Sequence, residues 1–184
     1  KRYIFKTFGN IYGEYAFLGN KELKFRTNVG VDLNFTHNKA FNQNFGDDDG
    51  GGDTPDKGLG RKNRPNSLNE DRGQESTITW NNTLNYSKTI DKHAFSAMVG
   101  SEYITNHSSS IGGTRNRFEY TQPEFQYLDY GNSLTNLWNS GSGAEWTLFS
   151  LFGSATYTFD SKYLITGNFR ADASSRFGPN NQWG

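Results

Sequence analysis

The strict alternation of apolar and polar residues from Leu23 to Phe35 is the feature that most constrains the fold. Every odd position of this segment is apolar or threonine, and every even position is Lys, Arg, Asn, Gly or Asp. Successive side chains of a β-strand point to opposite faces, so the pattern predicts a strand with one apolar and one polar face. At about 3.3 Å per residue the segment reaches roughly 40 Å. This length is unusual for a soluble strand and is sufficient to cross a bilayer at the usual tilt.

Five further segments repeat the pattern, with interruptions such as Phe8 and Tyr12. We predict six strands, near residues 3–18, 22–36, 76–88, 93–106, 145–159 and 163–172. Tight turns are expected at 18–21, 89–92 and 160–162, and long polar links at 37–74 and 106–143. Short turns on one side of a sheet and long loops on the other are typical of an outer-membrane barrel, whereas loops this long are uncommon in compact soluble domains.

The composition supports strands and narrows the classes of function. Aromatic residues make up 16% of the chain and hydrophobic residues only 33%, a mixture that suits half-apolar strands joined by polar loops. Basic and acidic residues number 19 each, and without a basic stripe nucleic acid is not an expected partner. The absence of cysteine excludes disulfides and thiolate metal sites. No apolar stretch approaches the roughly 20 residues of a membrane helix.

The sequence therefore predicts an all-β fold, an antiparallel transmembrane β-barrel segment whose six sequential strands form an open curved sheet with long extracellular loops. The apolar face would meet lipid, and the face with Arg26, Asp32 and Arg170 would meet water. The residues expected on the lipid face include Leu23, Phe25, Val29, Val31, Leu33, Tyr157, Phe159, Tyr163, Ile165 and Phe169. A soluble β-sandwich with an aromatic core is the alternative architecture, which the strand length and the loop asymmetry disfavour.

Residues 160–184 resemble the signature of the SusC/RagA-like TonB-dependent transporters, in which a D-K-Y-L turn precedes R-x-D-G-S-S-R-F-G-P-N-N-R-W-G. Shorter similarities lie at 79–86 and 93–103. The chain departs from the signature at Ser161, Ala173 and Gln182, where the family favours Asp, Gly and Arg. The signature positions carried by this chain are Arg170, Asp172, Ser174, Ser175, Arg176, Phe177 and Gly178.

The resemblance implies nutrient import across the outer membrane by a 22-stranded barrel with an N-terminal plug. Its expected partners are a SusD-like surface lipoprotein, TonB and outer-membrane lipid, and its expected cargo is a glycan or a peptide. Residues 1–184 would be a partial barrel, without the plug, the TonB box or the C-terminal strands. Neither a cofactor nor a catalytic activity is expected. A passive porin or adhesin-like barrel is the first alternative, and a soluble carbohydrate-binding β-module is the second.

Six aromatic rings in the second long link form the candidate ligand or partner contact. Aromatic faces stack on the apolar faces of sugars, and neighbouring charged groups can bind hydroxyls. The alternative is that the rings pack the loop onto the barrel rim or onto the lipoprotein. The rings belong to Phe118, Tyr120, Phe125, Tyr127, Tyr130 and Trp138.

Other candidate sites carry weaker signals. Arg170, Asp172 and Arg176 are expected to form an ion-pair and turn network where the last strand leaves the membrane. The acidic run 47–53 lacks the alternate spacing of a calcium loop. The three histidines lack metal-ligand spacing. The pair Glu119 and Glu124 is better explained as solvated loop acids than as a glycosidase couple.

Overall fold

The computed structural model describes residues 1–17, 22–43, 66–131, 138–178 and 181–184. The described residues form one sheet of six antiparallel strands, in which spatial order follows chain order. Two short 3₁₀ turns, Pro123–Phe125 and Leu128–Tyr130, lie between the fourth and fifth strands. The strands are β1 (Arg2–Phe17), β2 (Leu23–Asn42), β3 (Ser67–Ile90), β4 (His93–Asn116), β5 (Trp138–Phe159) and β6 (Tyr163–Ser174).

The predicted all-β fold and the six sequential strands are confirmed. Across the described part of the chain, no helix is both long enough and apolar enough to cross a membrane. The predicted turns at 89–92 and 160–162 are present, and the predicted turn at 18–21 lies outside the described residues.

The predicted extents of the long links were wrong. Segments expected to be loop form strand, because β2 continues to Asn42, β3 begins at Ser67, β4 continues to Asn116 and β5 begins at Trp138. These extensions carry polar residues on both faces and therefore lack the apolar alternation that marks a strand in sequence. Polar side-chain pairs accompany the backbone ladder there, including Asn38 with Asp71 at 2.7 Å.

The chain divides into two compact units. The first unit comprises residues 1–5, 34–74 and 108–143, and the second comprises 6–33, 75–107 and 144–184. The core of the first unit is small, since among its described apolar residues only Leu68 and Phe118 are buried. In the second unit large apolar side chains are widely exposed, for example Ile165 at 73% and Phe169 at 59%.

Glycines let aromatic rings lie close to neighbouring strands in the second unit. A Cβ on Gly100 would lie 2.6 Å from the ring of Phe152, a separation that real side chains do not tolerate. A Cβ on Gly153 would likewise overlap the ring of Phe169, which faces it in the β5–β6 register. Both positions therefore require glycine for close approach, and each ring covers backbone that a side chain would otherwise cover.

The β5–β6 hairpin shows what one departure from the family signature costs. Asp160 and Ser161 have φ values of 50° and 54°, and the amide of Lys162 donates to the carbonyl of Phe159 at 3.0 Å. Two successive left-handed residues are typical of a type I′ hairpin turn, whose twist suits the flanking strands. Asp and Asn accept this conformation better than Ser does, because their side chains can bond the local backbone.

Replacing Ser161 with Gly should stabilise the hairpin by up to about 1.5 kcal/mol. The change removes a left-handed penalty of roughly 1–2 kcal/mol against roughly 0.5–1 kcal/mol of added chain entropy. The measurement is the unfolding midpoint of the intact barrel. Lys162→Gly is the matched control. Lys162 has no positive φ, so a glycine there should destabilise the hairpin. Equal effects of the two substitutions would contradict this account of the turn.

Candidate functional site

A single guanidinium joins three strands on the polar face of the second unit. Arg170 of β6 donates to Ser150 Oγ of β5 at 3.0 Å, to Glu102 Oε1 of β4 at 3.2 Å and to Asp172 Oδ1 at 2.9 Å. Ser150 is fully buried, and Glu102 is about one-quarter exposed. The network fixes the positions of polar groups across β4, β5 and β6.

Polar contacts continue across the other strands of this face. A depression of about 400 Å³ is lined by Arg26, Asn28, Asn81, Thr83, Glu102 and Phe152. The guanidinium of Arg26 lies 4.2 Å above the ring of Tyr12, and the amide of Asn10 donates to Asn28 at 3.2 Å. Tyr12 and Phe152 thus place aromatic rings on the polar face, where the alternation in the sequence is interrupted. The surface offers both hydrogen bonds and ring faces to a polar solute.

Polar atoms on the opposite face of the second unit bond one another in two places. Trp80 Nε1 donates to Thr27 Oγ1 at 2.9 Å, and Thr27 shares the apolar face of residues 23–35. His93 Nδ1 and Tyr157 Oη are 2.7 Å apart, and the ring of Phe95 lies 4.9 Å from that of Tyr157. Aromatic rings therefore gather on this face beside the turns, as expected for an interfacial girdle.

The division into two faces generates a test with a matched pair of substitutions. Val31→Arg should sharply reduce the amount of assembled barrel, because a charge in hydrocarbon costs about 2–4 kcal/mol at mid-depth. Asn28→Arg should leave assembly near the wild-type level, because Asn28 lines the polar depression. The readout is the heat-modifiable folded band of the full-length protein in the membrane fraction. Equal tolerance at both positions would contradict the assignment of the faces.

The signature motif forms a hairpin after β6. The amide of Asp172 donates to the carbonyl of Gly184 at 3.1 Å, and the amide of Gly184 donates back at 2.9 Å. Ala173 is extended and pairs with Trp183, so alanine in place of the family's glycine meets no left-handed requirement. Arg176 lies 4.6 Å above the ring of Trp146, apart from the Arg170–Asp172 pair.

The remaining signature residues lie between the two arms of this hairpin and shape its turn. The amide of Phe177 donates to the carbonyl of Ser174 at 3.3 Å, and Ser175 Oγ accepts from the amide of Thr147 at 2.8 Å. The chain then turns at Gly178, whose carbonyl accepts from the amide of Asn181 at 2.9 Å. The motif is therefore a turn that is tied to β5 by both backbone and side chain.

In the first unit, Asn66 anchors the loop that follows β4. Its side-chain amide donates to the carbonyl of Phe118 at 2.9 Å and accepts from the amide of Phe118 at 2.6 Å. Arg117, at φ 61°, reverses the chain, and its amide donates to the carbonyl of Asn66. Nothing in the sequence marks Asn66 for this role, because an Asn beside a strand is commonplace.

The buried ring of Phe118 packs the loop rather than facing solvent. It is 5% exposed and lies edge-on to Phe41 at 5.2 Å. A Cβ on Gly131 would meet both Arg115 and the Phe118 ring, so glycine allows the chain at residue 131 to lie close to the start of the loop. We therefore assign Phe118 to packing.

Four of the other predicted rings form a cluster in the described part of the loop. Phe125 contacts Tyr120 at 5.1 Å and Tyr130 at 5.6 Å, and Tyr127 lies 6.3 Å from Tyr130. The three tyrosines are each more than half exposed. Trp138 is 69% exposed at the start of β5; among the described residues, no ring contact joins it to this cluster.

The ring cluster lies on the face of the first unit that carries apolar residues. Lys39 Nζ lies 4.5 Å above the ring of Tyr127, and Lys39 shares its face of β2 with Phe35, the last residue of the apolar series. The opposite face carries Asn38, which bonds Asp71, and Thr114, which bonds Asn69. The rings are therefore on the side away from the polar row.

The remaining candidates do not form a metal or catalytic centre in the part of the chain that is described. No group of three or more potential ligands occurs there. His37 pairs with Glu70 at 2.7 Å, a contact that the sequence analysis missed because the two residues lie on different strands. The acidic run 47–53 lies outside the described residues.

Sequential antiparallel strands with one apolar and one polar face define the chain as a segment of β-barrel wall. No protein-family model matches it. Individual proteins are nevertheless similar to it in sequence. The chain is 32% identical to TonB-dependent receptor P39 of Formosa agariphila, over 56% of this chain and 10% of that protein. It is 31% identical to TonB-dependent receptor SusC of Bacteroides thetaiotaomicron, over 58% of this chain and 10% of that protein.

Solved structures agree with the sequence relatives. The whole chain superposes on the RagAB peptide transporter with a TM-score of 0.77 and 26% identity, covering 19% of that chain. It also superposes on the open-open state of the RagAB peptide importer, with a TM-score of 0.77 and 25% identity over the same share. The chain spans about a tenth of the length of the curated relatives it matches. These matches confirm its resemblance to the SusC/RagA-like TonB-dependent outer-membrane transporters.

Proposed function

We propose that the chain forms part of the wall of an active importer in the outer membrane. The importer takes up glycans or peptides, is energised through TonB and works with a SusD-like surface lipoprotein. The single observation that carries the proposal is the pair of unlike faces in the second unit. One face ties polar groups together through Arg170, and the other exposes large apolar side chains such as Ile165 and Phe169.

Physical chemistry connects these faces to passage across a membrane. A strand that separates hydrocarbon from water needs apolar side chains on one side and tolerates polar ones on the other. The polar face offers amides, hydroxyls and paired charges rather than a single sign of charge. Such a surface can exchange hydrogen bonds with sugars or with peptide groups, so it supports both classes of cargo. The likeness to SusC and to the RagAB peptide importer supports energised uptake over a passive porin.

The energised reading predicts that uptake by the full-length protein depends on TonB. Deleting the parent gene should abolish growth on its limiting glycan or peptide source, and removing TonB should do the same with the barrel still present. The measurement is growth rate together with the surface level of the protein. Growth that is lost with the gene but persists without TonB would favour the passive porin.

We further propose that the exposed rings contact the lipoprotein or its cargo. The rings are Tyr120, Phe125, Tyr127, Tyr130 and Trp138. Exposed apolar area of this size is uncommon in a loop whose only role is connection. Because the cluster lies on the same side of the first unit as Phe35, a protein partner suits it better than a solute in the lumen. Stacking and cation–π contacts are worth roughly 0.5–2 kcal/mol each.

Two variants test the rings. Trp138→Ala and the double variant Tyr127→Ala/Tyr130→Ala should each weaken co-purification of the lipoprotein about two- to thirtyfold, from the loss of roughly 0.5–2 kcal/mol of contact energy. Tyr163→Ala is the control, because Tyr163 is equally exposed at 69% but adjoins the β5–β6 turn. Surface levels are compared first. Unchanged co-purification and unchanged growth on limiting substrate in both variants would assign the rings to packing.

A further inference from the structure

An apolar hollow of about 870 Å³ lies on the surface of the first unit. Its lining includes Tyr3, Phe5, Phe35, His37, Arg72 and Ile111, from four adjacent strands. The rings of Phe5 and Phe35 lie 6.3 Å apart. Phe5 is 63% exposed and Ile111 is 69% exposed, so the hollow is open to whatever surrounds this face.

A guanidinium lines the hollow, and its counter-ion is largely covered. Glu70 lies 2.7 Å from His37, 3.5 Å from Arg72 and 4.0 Å from Lys39. The side chain of Glu70 is only 16% exposed, whereas that of Arg72 is 68% exposed. The carboxylate of Glu70 therefore lies mostly beneath the surface, and the charged group that the hollow exposes is the guanidinium of Arg72.

We propose that this hollow binds a phosphorylated acyl lipid of the outer leaflet. An acyl chain lies against Phe5, Phe35 and Ile111, and the phosphate is bound by Arg72, with Lys39 beside it. A guanidinium can donate two parallel hydrogen bonds to a phosphate, which gives the headgroup a fixed orientation.

The position of the hollow suits this ligand. The inference rests on the proposed membrane location, in which Phe35, the last residue of the apolar series, marks the edge of the hydrocarbon. Aromatic residues are typical of that edge, and basic residues just beyond it meet lipid headgroups. A polar solute would gain little binding energy from the apolar part of the hollow. A ligand made only of hydrocarbon would make no favourable contact with the guanidinium of Arg72.

The test uses the full-length transporter in detergent, titrated with lipid A and followed by native mass spectrometry. Arg72→Gln should weaken lipid A binding about fivefold, the effect of one basic residue beside an anionic lipid surface. Lys39→Gln/Arg72→Gln should weaken it further, and Ile111→Ser should weaken it from the apolar side. Lys92→Gln is the matched control, because Lys92 is 65% exposed and lies 3.3 Å from Asp160 at a turn. It should bind lipid A as the wild type does.

Several results would overturn the proposal. Wild-type binding by both Arg72→Gln and Ile111→Ser would remove the site, and equal weakening by Lys92→Gln would reduce it to general charge attraction. Competition by inorganic phosphate at the lipid A concentration would indicate a free-anion site. Loss of the lipoprotein from Arg72→Gln with lipid A binding unchanged would indicate a protein occupant. TonB-dependent uptake is scored separately, so a failure of import with lipid A binding intact counts against the proposed function alone.

Discussion

Hydrogen bonding between neighbouring strands is the constraint on which the rest of the structure depends. Backbone groups that face hydrocarbon have no water to bond, so a chain crossing it in extended form must pair with its neighbours throughout. The order β1 to β6 meets this need with each strand beside the next. Once the ladder is fixed, the alternation of side chains places each strand residue on one of the two faces of the sheet. Substitutions are then tolerated or rejected according to face rather than to chemical type alone.

Side-chain bonds add specificity to that ladder where the sheet carries polar groups. Arg170 reaches β4 and β5 from β6, and Asn106, 4% exposed, donates to Glu75 and Thr77. Such contacts help to hold the register of the strands, since a slip by one residue would separate the partners. Polar networks thus add to the alternation of the two faces as a source of register in the second unit.

Sequence reasoning found the strands whose two faces meet different solvents and missed the extensions whose faces are alike. The alternation from Leu23 to Phe35 reflects the unlike surroundings of its two faces, whereas residues 67–75 show no such alternation and are recognised as strand only by their partners. The sequence identified the aromatic rings, but it did not show on which side of the sheet they lie. That side depends on the contact of Asn66 with Phe118 and on the chain reversal at Arg117. The Glu70 cluster joins three positions on two strands, a proximity that no local pattern encodes.

The pair of hydrogen bonds between Asn66 and Phe118 has a consequence for how the loop after β4 tolerates substitution. Both ends of the described loop are held against the first unit, by the backbone of Phe118 at one end and by the close approach at Gly131 at the other. Between those two points the side chains of Tyr120, Tyr127 and Tyr130 are more than half exposed. Substitutions at these exposed tyrosines can therefore change the surface that the loop presents without removing the contacts that hold it to the strands.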